Sequence, residues 1–392
     1  MCAHPGPGGE GSRTHGGTGH EPFRLGSELR TRSGSGAGVG HVARGGVSGY
    51  AAVHARVRAM YSTILTPETW GALYESADFA TLISLLKKTV YGPYLTAVED
   101  KDLTPRRSVY QIKGHLADAY VTVIYMVPES ARPLLVQLYR LFEVDNLKAV
   151  LRGVATGASW DQVRYVLFPL GSFTVLPAQA MIEEESVGAA VELLRGTPYY
   201  STLSHAMERY TAEQSLFPLE VALDLDYLRE LWSDINRLPS RDREQALRIV
   251  GSLIDMNNLM WAIRYRVYHH LSEEEIINYT VPFGYRVRDE DIRAIAAGAD
   301  IAQVVTRIYP DLADVSPLFQ EPRSGLPQLE LRLQRRIVKQ CRAAFIGYPF
   351  HIGIPVAYVL LNELEIQDLT VLIEAKSLQV PAEEFQLHLV MS

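Results

Sequence analysis

The stretch FEVDNLKAVLR at 142–152 returns as IDMNNLMWAIR at 254–264 and as LEIQDLTVLIE at 364–374. Each copy carries an acid, an Asn or Asp three residues on, then Leu and further apolar residues: Glu143, Asn146 and Leu147; Asp255, Asn258 and Leu259; Glu365, Asp368 and Leu369. Successive acids recur at an interval of about 110 residues. A second element keeps nearly the same period, as LLKKTVY at 85–91, LLRGTPY at 193–199 and VVTRIY at 304–309. Its threonines are Thr89, Thr197 and Thr306; Tyr91, Tyr199 and Tyr309 follow them, the third at a stretched spacing. In every unit the Thr precedes the acid by close to half the period, so order and scale are kept along with the ends. A period of about 110 residues exceeds the roughly 20–50 of a solenoid unit and matches a small domain.

From Tyr50 onward apolar residues recur at three- and four-residue spacing, interrupted by Pro, Gly and Asn. That pattern predicts an all-α chain. The clearest helical stretches are 51–65, 72–88, 132–152, 245–267 and 329–345. Combined with the repeat, they predict three similar helical domains in series, 47–158, 159–272 and 273–392. Residues 1–46 are dense in Gly with scattered His and Arg, cannot bury enough surface to offset ordering, and are predicted to be a disordered leader. The leader contains no apolar core of a secretory signal. Its GSGAGVG run lacks the preceding strand and following helix of a dinucleotide loop.

Of the 392 residues 47% are hydrophobic and 21% charged, an ordinary globular balance. The longest apolar runs, 119–127 and 353–361, fall far short of the roughly 20 residues of a membrane-spanning helix, so any membrane association is expected to be peripheral. Two cysteines make neither a disulfide framework nor a Cys-rich zinc site and suit a reducing cytoplasm. The net charge of −7 argues against nucleic-acid binding, which needs a basic face to neutralise phosphates.

The repeated acid and its Asn or Asp share one helix face, where they can tie neighbouring segments by hydrogen bonds or present a surface three times to a partner. Thr and Tyr of the second element read as a helix-end cap and a packed ring. Phosphate-loop, HExxH, GxSxG and Cys/His metal motifs are all missing. Asp224 with Asp226, or Asp289 with Asp291, could serve an all-helical metal-dependent enzyme, although acids before a helical pattern ordinarily complement its dipole. Arg332, Arg335, Arg336, Lys339 and Arg342 fall at helical spacing opposite Leu333, Ile337, Cys341 and Ala344. This basic stripe reads as a solvated face, as a contact surface for an acidic partner, or as a face lying near anionic headgroups.

From about Tyr50 to Leu387 the chain resembles the C subunit of archaeal and bacterial A/V-type ATP synthases, the counterpart of the d subunit in vacuolar ATPases. The resemblance rests on ARVRAMYSTIL, the Thr-to-Tyr elements, EVDNLKAVLR with its repeat IDMNNLMWAIR, AEQSLFPLEVALDLDYLREL, and the terminal YVLLNELEIQDLTVLIEAKSLQVP. It implies a pseudo-threefold funnel of three helical domains, non-catalytic and without cofactor or metal. Such a funnel sits on the membrane rotor ring of proteolipid subunits at the cytoplasmic face and accepts the central shaft. It would transmit torque for proton or sodium transport. The basic stripe and the regions of Glu143, Asp255 and Glu365 are then expected near the shaft or ring. A free-standing helical adaptor is the remaining alternative.

Overall fold

The computed structural model describes residues 47–312 and 314–391; the Gly-rich leader, 1–46, lies outside them. All regular structure among the described residues is helical. Four short-to-medium helices, α1 (Val47–Tyr61), α2 (Pro67–Tyr74), α3 (Phe79–Leu86) and α4 (Gly92–Leu95), precede two long ones, α5 (Pro105–Met126) and α6 (Arg132–Thr156). The pattern recurs with α7 (Trp160–Val163), α8 (Ala178–Ile182), α9 (Val187–Glu192) and α10 (Tyr199–Glu213) before the long α11 (Phe217–Arg237) and α12 (Ser240–Val267). It recurs again with α13 (Glu273–Asn278), α14 (Asp289–Ala296) and α15 (Ile301–Ile308) before α16 (Pro322–Ala344) and α17 (Gly353–Ser377); α18 (Ala382–Phe385) follows.

The six long helices pack in a closed circuit. Helix α5 lies on α6, α6 on α11, α11 on α12, α12 on α16, α16 on α17, and α17 back on α5. Helix α17 is buried on every side at its start: each residue from His351 to Asn362 is buried. This accounts for the apolar run at 353–361, which forms the start of α17; the run at 119–127, at the end of α5, leaves Tyr125 exposed. A helix enclosed all round shows no amphipathic stripe, so its periodicity is weak.

Local chemistry sets the boundaries. The stretch 72–88, read from the sequence as one helix, is two, because the Asp78 carboxylate accepts from Thr81 N at 2.8 Å and starts α3 afresh. Thr104 caps α5 ahead of Pro105, and Gly157 at φ 66° ends α6. Ser272 and Glu275 form a reciprocal box at the start of α13. Cys341 is a free, buried thiol in α16 whose pKa is pushed up to about 12 by burial.

Candidate functional site

The repeated acids sit midway along α6, α12 and α17, and each is enclosed: Glu143 is 3% exposed, Asp255 0% and Glu365 1%. On α6, Val175 N donates to Glu143 Oε1 at 2.6 Å and the Tyr199 hydroxyl donates to Oε2 at 2.6 Å. On α17, Leu65 N donates to Glu365 Oε2 at 2.8 Å and the Tyr91 hydroxyl to Oε1 at 2.6 Å. On α12 the shorter Asp255 takes two backbone donors, Tyr285 N and Arg286 N, each at 2.7 Å. The three anchored amides, at Leu65, Val175 and Tyr285, recur along the chain with the period of the acids themselves. The carboxylates are therefore committed to internal bonds and cannot touch a partner directly; what they hold in place is the following segment.

The residue three positions on makes a second clasp. Asn146 donates through Nδ2 to Phe168 O at 2.9 Å and accepts from Phe168 N at 2.6 Å. Asn258 does the same with Val281, at 2.7 and 2.9 Å. Asp368 has no N–H to offer, and both its oxygens accept instead, from Val390 N at 2.8 Å and Met391 N at 2.7 Å. Burial raises Glu365 to about 7 and Asp255 and Asp368 to about 6, and the backbone and phenol donors hold them back from rising further. The Tyr91 phenol is pushed far up by burial and by its carboxylate neighbour.

Thr89 and Thr197 each donate to the carbonyl three residues back, Leu86 O and Leu194 O, at 2.7 Å. Thr306 is exposed. Tyr309, though buried, feels Asp255 only through charge and lies under the Arg336 guanidinium, 5.3 Å from its ring centroid. Arg336 also pairs with Asp311. Arg335 donates to Leu389 O at 2.8 Å and Arg332 to Asp314 O at 3.1 Å. Three of the five stripe cations thus clasp neighbouring segments of the same chain, and Lys339 and Arg342 are exposed.

The paired aspartates are spent separately. Asp224 pairs with Lys148, while Asp226, two residues on, points about 200° away around the same helix. Asp289 pairs with Arg293, and Asp291 with Arg307 and with Arg288 N. Among the described residues no group of three or more His, Cys, Asp or Glu side chains is placed to hold a metal ion.

Residues two before and two after each repeated acid also lie about 200° round the helix, so they face away from the clasps and into the middle of the circuit. The earlier set is Leu141, Leu253 and Glu363; the later one is Asp145, Asn257 and Gln367. Two openings, of about 510 Å³ and 130 Å³, share Glu363 and Gln367 in their walls; Asp145 lines the larger, and Leu141, Leu253 and Asn257 the smaller. The larger opening is bordered by Lys113, Lys148 and Arg152. Lys148 reaches Asp145 at 3.5 Å, Arg152 binds Glu220 at 2.6 Å, and burial lowers the Lys113 pKa. Glu363, partly buried and ringed by protein, accepts from the Tyr120 hydroxyl at 3.4 Å and is raised to about 7 by burial and by Asp145. Sequence reasoning missed these six positions, although the acids' own register marks them.

A sequence model described as the ATP synthase (C/AC39) subunit matches residues 53–386. The chain belongs to that family. Family membership makes it a subunit of an ATP synthase type of complex, whose work is ATP synthesis and ion transport. It is similar to the C subunit of the A-type ATP synthase of Methanocaldococcus jannaschii, 25% identical over 346 residues that cover 87% of this chain and 86% of that protein. The corresponding protein of Archaeoglobus fulgidus is 23% identical over 352 residues, 89% of this chain and 98% of its own. That of Haloferax volcanii is 22% identical over 343 residues, 86% and 97% of the two chains. The family match spans all three repeated acids, the amides they anchor and the three tyrosines. No helix among the described residues is long and apolar enough to cross a membrane.

Proposed function

We propose that this chain is a non-catalytic central-stalk subunit of an A/V-type ATPase, coupling the membrane rotor ring to the central shaft on the cytoplasmic face. In this reading three similar helical domains, 47–158, 159–272 and 273–392, form a pseudo-threefold funnel. Each domain's acid clasps the next: Glu143 holds the second domain, Asp255 the third, and Glu365 returns to the first. The foot of the shaft seats in the central opening. The observation that carries this is that Asp145, Asn257 and Gln367, three corresponding positions of one repeat, line two adjoining openings that share Glu363 and Gln367. A structure that transmits torque has to resist shear, and a closed circuit of helices tied by buried bonds does so better than a row of domains with one free edge.

The test is binding of the shaft subunits to the purified chain. Replacing Asn257 and Gln367 together by Arg should weaken the shaft complex by about tenfold or more while helicity is kept, since bulkier charged groups would crowd the seat. Unchanged shaft affinity in that variant would remove the socket assignment. Robust ATP turnover by the isolated chain would overturn the non-catalytic reading.

A further inference from the structure

The second clasp of the third repeat differs from the other two in its chemistry and in how firmly its segment is held. Asn146 and Asn258 each grip one residue through both its amide and its carbonyl, Phe168 and Val281, with a side chain that does not titrate. Asp368 grips two amides, Val390 N and Met391 N, with a carboxyl that does. The segments at Phe168 and Val281 are tied again farther along, by Val175 N to Glu143 and by Tyr285 N to Asp255. The corresponding donor to Glu365 is Leu65 N, from the opposite end of the chain. On α17 the segment 386–391 is therefore held through Asp368, and Arg335 of α16 adds a bond to Leu389 O at 2.8 Å.

This strap closes over both groups that tie it. Leu389 and Val390 are buried, as is Asp368, and the enclosed Nε of Arg335 meets no acceptor. Glu365, one turn back on α17 and also buried, repels a charge on Asp368, whereas Arg335 attracts it. Other charges around α17 lie elsewhere. Helix α3 has no ionisable side chain, and Glu383 and Glu384 of α18 and His388 of the strap are exposed. Asp242 of α12 and Arg56 of α1 act near the start of α17, on Ile352 N and Tyr358, and Lys113 of α5 borders the central opening. Burial outweighs the amides and Arg335 together, which is why the Asp368 carboxyl stands at about 6. One and two turns beyond Arg335, at the spacing of a single helix face, Lys339 and Arg342 are exposed.

We propose that the strap 386–391 is a proton-sensitive cover, closed over α17 and the basic face of α16 while Asp368 carries its proton and released as Asp368 ionises. Release hydrates the carboxylate and bares Arg335 beside Lys339 and Arg342, so that three cations of the stripe form one accessible face. The direction follows from linkage. A carboxyl that binds its proton more tightly under the cover than in water favours closure fully below about pH 4, and that contribution is lost as the pH rises through about 6. The first two repeats, with Asn at this place, have no titrating group in the corresponding clasp. This device is independent of what the central opening seats.

Amide hydrogen exchange of the full chain, followed by mass spectrometry from about pH 4.5 to about pH 7.5 and corrected for the intrinsic pH dependence of exchange, reads opening of the strap. In the wild type, protection of the amides at 389–391 is expected to fall about tenfold or more across that range, while protection at Phe168 and Val281 changes less than about threefold. Asp368→Asn, which restores the residue type of the other repeats, should leave strap protection level with pH. Arg335→Gln keeps a donor for Leu389 O but removes the charge that favours ionised Asp368, so the midpoint of the fall should move to higher pH. Far-ultraviolet circular dichroism at each pH checks that helicity is retained. Strap protection that stays level with pH in the wild type overturns the proposal, as does an equal fall in Asp368→Asn. A parallel fall at Phe168 and Val281 overturns it too, since the whole circuit would then be loosening. An unmoved or lowered midpoint in Arg335→Gln removes Asp368 as the titrating group.

Discussion

The junctions at Glu365 and Asp255 occupy corresponding places in the repeat and are built differently. Glu365 reaches one backbone amide and a phenol, and its two partners, Leu65 and Tyr91, belong to the opposite end of the chain. Asp255, one methylene shorter, reaches two consecutive amides and leaves Tyr309 to the guanidinium of Arg336. The shorter side chain draws its loop inward. A Cβ on Gly284 would stand 2.3 Å from Asp255 Oδ1 and 2.5 Å from Val287 O, whereas the corresponding positions carry Ile64 and Thr174. One architectural demand, an anchored loop beside a mid-helix acid, is thus met by two side-chain lengths, each with its own backbone consequence.

The largest expected effect falls on the junction that closes the circuit. Glu365→Ala leaves the buried Tyr91 hydroxyl and the half-buried Leu65 amide without their acceptor and should cost about 3 kcal/mol in urea unfolding. A loss below about 1 kcal/mol would mean that the chain ends are held by packing alone. The pH dependence comes next. The folded chain binds the Glu365 proton more tightly than the unfolded chain does, so the resulting stabilisation is complete below about pH 4 and fades as the pH rises to about 7. Across that window the wild type should lose on the order of 3 kcal/mol relative to Glu365→Gln, which has no proton to give up. Parallel stability curves for the two proteins would contradict the raised carboxyl.

Gly284→Ala should cost about 2 kcal/mol, because the new methyl meets a buried carboxylate oxygen and a carbonyl. Thr174→Ala, at the corresponding place beside Glu143, is expected to cost about 1 kcal/mol or less, as it leaves Leu176 N without its side-chain acceptor at 3.1 Å. Equal losses in the two variants would erase the distinction between the junctions. The smallest contrast lies in the phenols. Tyr91→Phe and Tyr199→Phe each remove a hydrogen bond to a buried carboxylate and should cost about 1–2 kcal/mol, while Tyr309→Phe should cost less than about 0.5 kcal/mol. Thermal unfolding of the three variants ranks them directly.

Much of this plan is legible in the primary structure, and the parts that are not share a cause. The repeat announces Glu143, Asp255 and Glu365 together with Asn146, Asn258 and Asp368, because a side chain chosen for hydrogen-bonding capacity leaves its type in the sequence. Their partners are mostly backbone amides, which every residue but proline offers, so Leu65, Val175 and Tyr285 carry no mark. The basic stripe illustrates the converse. Periodicity sets Arg335 and Arg336 near one another on one helix, yet what meets them is Leu389 O and Asp311, supplied by other segments of the chain. The enclosed start of α17 is muted for a third reason, having no polar side to alternate with.

By itself, then, the sequence determined the helical class, the period of about 110 residues and the identity of the clasping acids, since all three are properties of residue type and spacing. The tertiary structure decided which segment each acid holds and that the last acid returns to the first helices. It also set which residues, two positions from each acid, face the centre. Those outcomes depend on where distant backbone is carried, and a linear pattern records spacing along the chain but not the path by which its ends meet.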